Sequence, residues 1–113
     1  MNDRVRNIIE HMVEDASDAI RFAEEIGSED AFTANQLYRK AIVMSILNIG
    51  ELTKSLPDDY KSANHEIPWR KIAGMRDIAA HGYHEMDDSI IWDVVMHSIP
   101  DLLHFLQKQL EEE

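Results

Sequence analysis

An all-α fold, a four-to-five-helix up-and-down bundle, follows from three observations. Apolar residues recur at three- and four-residue spacing through most of the 113-residue chain. The periodic runs are long and the links between them short. No run alternates apolar and polar residues as a half-buried strand would. The length suits one domain over residues 1–113, large enough to bury a core of its own.

The first helix is expected from about Asp3 to Ile26. Val5, Ile8, Ile9, Met12, Ala16, Ala19, Ile20 and Ala23 form one stripe, and Glu10, Glu14 and Asp18 a solvated face. Gly27 stops it, as glycine does past a helix end. Ser28 and Asp30 are candidate caps for a long second helix, from near Asp30 or Thr33 to Ser55, with Leu37, Tyr38, Ala41, Ile42, Ile49 and Leu52 on its stripe. Pro57 ends it. Residues 57–67 read as a loop with a helical turn.

Pro68 suits the first position of a third helix, where its missing N–H costs nothing. That helix carries Trp69, Ile72, Met75 and Ala79 and ends at Gly82. Asp87 or Asp88 caps a fourth, with Ile90, Ile91, Val94 and Val95 followed by Leu102, Phe105, Leu106 and Leu110. Pro100 falls inside it, so a kink or a break into two helices is expected there.

Composition excludes several functions. Without cysteine there is no disulfide scaffold, thiol nucleophile or thiolate zinc site. The formal charge of −11 disfavours blanket binding to nucleic acid or anionic lipid, and no DNA or membrane partner is expected. One stretch runs against that charge. Lys61, Arg70, Lys71 and Arg76 fall in a segment whose only acid is Glu66. No apolar run approaches a membrane span, the charged start MNDRVRNIIEHMVED does not read as a signal peptide, and the cytosol is expected.

The chemistry concentrates in GMRDIAAHGYHEMD, residues 74–87. On a helix, Asp77 and His81 are four apart and share a face, so the carboxylate could fix the imidazole tautomer and raise its basicity. Arg76 and His81 are about 140° apart around the axis but project near the same helix end. Tyr83 lies just past Gly82. Arginine binds phosphate through its fork and stabilises developing charge, and histidine moves a proton near neutral pH. Together they suit cleavage of RNA, whose 2′-hydroxyl is a built-in nucleophile. Two plainer readings stand beside this one: a polar, solubilising helix end, and a metal held by His81 and His84 with Glu85 or Asp87. His11, His65, His97 and His104 show no pattern and read as surface or helix-end histidines. Trp69 reads as a core or interface residue, and the six methionines as packing residues.

The pattern R-x-x-x-x-H-x-Y at Arg76, His81 and Tyr83 resembles the signature of HEPN domains, and more narrowly of the HepT-like toxins of toxin–antitoxin pairs. AIVMSILNIGELTKSLP and IPWRKIAGMRDIAAHGYHEMDDSIIWDVV extend the resemblance over essentially the whole chain. It implies a metal-independent endoribonuclease without cofactor, the toxin of a type VII-like system with RNA as substrate. It implies a homodimer with both Arg–His pairs in one cleft, and a cognate minimal nucleotidyltransferase as antitoxin. By match, Arg76 is the phosphate and transition-state ligand, and His81 the general acid/base or an equivalent phosphate-positioning group. Asp77 is a supporting residue where the family often has asparagine, and its acid beside the phosphate opposes RNA. Tyr83 is the acceptor of AMP, whose charge and bulk would block the cleft. Glu51, from the IGE motif, is either a support for Arg76 or His81 or an exposed helix glutamate. The competing functions are a non-catalytic partner or substrate-binding subunit of a nucleotidyltransferase, which the overall acidity favours, and a plain helical dimerisation domain.

Overall fold

In the computed structural model, which describes residues 1–81 and 87–112 and only the backbone of residues 78–81, the long apolar stripes have become long helices. Helix α1 spans Asp3–Ile26, α2 Glu29–Ala34, α3 Gln36–Lys54, α4 Asp58–Ala63, α5 Trp69–His81, α6 Asp88–Asp93 and α7 Ile99–Glu111. No strand occurs among the described residues, and no helix is long and apolar enough to cross a membrane.

Helix α1 has the expected bounds because both ends are signalled locally. The Asn2 side chain accepts from the Val5 N–H at 2.8 Å. Gly27 adopts φ 85°, a left-handed conformation a Cβ would strain, and its N–H closes the last turn on Ala23. Between these ends Val5, Ile8, Ile9, Met12, Ala16, Ala19 and Ala23 are buried.

The expected single second helix is broken. Asn35 sits in extended backbone (φ −114°, ψ 102°), and its side chain accepts from the Tyr38 N–H at 3.2 Å, starting α3 afresh. Ser28, not Asp30, caps α2 by accepting from Ala31 at 3.1 Å. The break turns α2 so that Phe32 is fully buried against Trp92, with ring centroids 5.5 Å apart. Burial of one aromatic side chain outweighs the intrahelical hydrogen bonds lost at Asn35.

Helices α1 and α3 run antiparallel. Tyr38 near the start of α3 donates its hydroxyl to Glu25 near the end of α1 at 2.9 Å, while Asn48 further along α3 bonds Asp15 further back on α1. The other neighbours are α7 on α1 and α5 on α3. The core between them holds Ile42, Ile46, Ile49, Ile72, Met75, Ile91, Val95, Ile99, Leu102 and Leu106. The two buried hydroxyls on α3 are satisfied within the helix: Ser45 donates to the Ala41 carbonyl and Thr53 to that of Ile49.

Helix α5 starts one residue later than the sequence pattern suggests. Pro68 precedes it and supplies its carbonyl to the Ile72 N–H at 3.1 Å. Trp69 is buried there, its indole N–H donating to Asn64 at 3.0 Å and its ring meeting Tyr60 and Phe105. The expected end at Gly82 lies outside the described residues. Beyond that segment, Asp87 caps α6 by accepting from Ser89 at 2.9 Å. The break expected at Pro100 takes the form of a π-helical segment, Val94–Ser98, running straight into α7. There the Ile99 N–H reaches back five residues to Val94. The widened turn just before Pro100 accommodates a ring that would clash in a regular helix and a nitrogen with no proton to give.

Candidate active site

The site is built where the C-terminal half of α3 crosses α5. Gly50 is buried on α3, and a Cβ placed on it would stand 2.7 Å from the Arg76 Cβ and 2.8 Å from the Arg76 backbone nitrogen. Only glycine allows that approach. The contact sets how far Arg76 stands from α3, and the next residue of α3 takes advantage of it: the Glu51 carboxylate pairs with Arg76 Nε. Arg76 Nη1 reaches Asp77 Oδ1 at 3.3 Å, and Lys54 Nζ, at the end of α3, lies 3.8 Å from the same oxygen.

Four charged groups, two of each sign, therefore share one patch. The Arg76 side chain is 37% exposed, and Glu51, Lys54 and Asp77 are each about half exposed. The Asp77 hydrogen bond, and after it the Glu51 charge, push the Arg76 pKa above its already high value, so the guanidinium is a permanent cation. Two of its three nitrogens face carboxylates, and the side chain reaches solvent. This is a cation fixed in direction and poised for an anion.

Of the residues singled out in the sequence, Arg76, Asp77 and Glu51 come together here. His81 is the last residue of α5, which carries its backbone to the same end of the helix, but its side chain lies outside the described residues, as do Tyr83, His84 and Glu85. The Asp77–His81 pairing expected from helix spacing falls on a side chain outside the described residues; the described partners of Asp77 are Arg76 and Lys54. Among the described residues no three His, Asp or Glu side chains converge as a metal site. His11, His65, His97 and His104 are exposed, and Trp69 is a core residue. Sequence reasoning missed Gly50 as a contact and Lys54 as a member of the site. The available signal was a glycine inside a strongly helical run, with Glu51 directly after it and Lys54 one turn further on.

Residues 9–109 match the family described as ribonuclease HepT-like. The chain belongs to the HepT-like ribonuclease family. A protein of Caldanaerobacter subterraneus subsp. tengcongensis provisionally named as an RNase is 34% identical over 95% of this chain and 91% of its own length. One from Thermococcus cleftensis, provisionally named ribonuclease HepT, is 36% identical over 80% of this chain and 84% of its own. A third, from Methanocaldococcus jannaschii and also provisionally named as an RNase, is 32% identical over 96% and 85%. No solved structure matches. Membership of this family makes the chain a ribonuclease with RNA as its substrate, and the helical fold agrees with it. In this HepT-like protein the α3–α5 crossing holds Arg76 between Glu51 and Asp77.

Proposed function

We propose that the chain is a metal-independent endoribonuclease toxin in which Arg76 and His81, drawn from two chains paired about a two-fold axis, form one cleft. The observation that carries this reading is Arg76 itself: a solvent-reaching guanidinium aimed by Glu51 from a neighbouring helix, in a chain of ribonuclease family. Arg76 binds the scissile phosphate and stabilises the charge that builds on its non-bridging oxygens. His81 accepts the proton of the adjacent 2′-hydroxyl, or positions the phosphate while a second group does so. The 2′-oxygen bonds to phosphorus as the bond to the 5′-oxygen breaks. The departing oxygen takes a proton, and the products are a cyclic phosphate and a 5′-hydroxyl end. Glu51 supports the pair by holding Arg76 Nε, and Asp77 supports it by holding Arg76 Nη1 until substrate arrives.

Tyr83, two residues beyond His81, is the point of control in this reading. A partner nucleotidyltransferase acting as antitoxin transfers AMP from ATP to the tyrosine oxygen and releases pyrophosphate. The new phosphate then occupies Arg76 and repels substrate.

Expression in cells tests the toxin assignment. The wild-type chain should arrest growth, and the partner should relieve it with a mass gain of one or more AMP units on Tyr83. Tyr83→Phe should remain toxic in the partner's presence. Relief of Tyr83→Phe as complete as that of the wild type would contradict control through this residue. The formal charge of −11 favours a second reading, a non-catalytic subunit that helps a nucleotidyltransferase bind its substrate. In that case expression alone would not arrest growth.

A further inference from the structure

Two cations, not one, converge on Asp77. Its Oδ1 lies 3.3 Å from Arg76 Nη1 and 3.8 Å from Lys54 Nζ, and the three side chains are 56%, 37% and 45% exposed respectively. A carboxylate oxygen held between two cations marks a spot where another anionic oxygen would be equally well received, and a non-bridging phosphate oxygen has the same charge and acceptor character. Exposed ion pairs at these separations are weak, so Asp77 can swing away at little cost.

We propose that Lys54 is a second phosphate-binding residue of the RNA site, gripping the substrate together with Arg76 at the position Asp77 Oδ1 occupies in the free protein. The inference rests on the reading of Arg76 as the phosphate ligand. Charge argues for it. Without Lys54 the patch would hold one arginine against two carboxylates, a net negative site on a chain already at −11, which an RNA strand would avoid. With Lys54 present and Asp77 displaced, two cations face the phosphate against the single carboxylate of Glu51. Lys54 ends α3, where the helix dipole favours a cation. That accounts for a lysine on this turn but not for its direction across to α5.

The test is binding of a short fluorescent 2′-O-methyl oligoribonucleotide, which lacks the nucleophile, to the full chain over a series of salt concentrations. Lys54→Ala should raise Kd about three- to ten-fold and shrink the salt slope by about 0.7, the loss of one contact to a single strand. Lys54→Arg should bind nearly as the wild type. The decisive comparison is made in an Asp77→Asn background, with folding checked by far-UV circular dichroism. There Lys54→Ala should still weaken binding. If it changes neither Kd nor slope in that background while Arg76→Ala does, Lys54 serves only to neutralise Asp77 and the proposal is overturned. If Arg76→Ala also leaves binding unchanged, the phosphate site itself is elsewhere and both readings fall.

Discussion

Gly50 and Arg76 meet at contact distance: the space a Gly50 side chain would need is filled by the Arg76 Cβ at 2.7 Å and the Arg76 nitrogen at 2.8 Å. The arginine that carries the site is thus located by a residue with no side chain.

Gly50→Ala should therefore separate two effects of opposite sign. Alanine favours a helix over glycine by about 1 kcal/mol. The overlap is with backbone as well as side chain, so α3 or α5 must shift, at a cost of about 1–3 kcal/mol. Thermal unfolding should show a net loss, and RNA cleavage should fall further than stability because Arg76 is displaced. A protein as stable and as active as the wild type would show that the crossing yields freely.

Glu51 holds Arg76 Nε from α3, and both side chains reach solvent. An exposed pair of this kind contributes about 0–1 kcal/mol, so Glu51→Ala should move the melting temperature little. Its effect belongs on the reaction. Without its partner the guanidinium samples more orientations, and cleavage should fall about ten-fold, the scale of a loosened positioning contact. Glu51→Gln should lose less, since it keeps an acceptor for Nε. Steady-state cleavage by the three proteins on one RNA checks the order.

Away from the site, Asp15 is half-buried on α1, and its pKa is raised above 3.8, first by burial and then by Asp18 and Glu14, against a hydrogen bond from Asn48. Ionising it costs more in the folded chain than in the unfolded one. Its contribution to stability is thus most favourable below pH 3.8 and declines as pH rises through the folded-state value. Asp15→Asn should unfold at a higher temperature than the wild type at neutral pH, with the gain vanishing in acid. A gain that stays constant with pH would rule out charge burial as the cause.

What the sequence could show was what neighbours along the chain decide. The bounds of α1 are legible because Asn2 and Gly27 act within one turn of the residues they cap. The break at Asn35 was hidden because asparagine is tolerated inside helices, and what favours the break is Phe32 reaching Trp92, far along the chain. Pro100 announced an irregularity, but its form, a π-segment that keeps the helix running, depends on packing. At the site, Arg76 and Asp77 were readable as a motif. Glu51 was readable only as part of a resemblance, and Lys54 not at all, because both reach their partners across a helix crossing that sequence spacing does not encode.

In the proposed reaction Arg76 and His81 cleave RNA without a metal. The most direct test is cleavage of total RNA and tRNA by the purified chain, free of its partner, in excess EDTA, beside Arg76→Ala and His81→Ala. Cleavage should survive EDTA, leave cyclic phosphate ends and be lost in both variants. Cleavage that stops in EDTA, or that either variant retains in full, would contradict the proposed reaction.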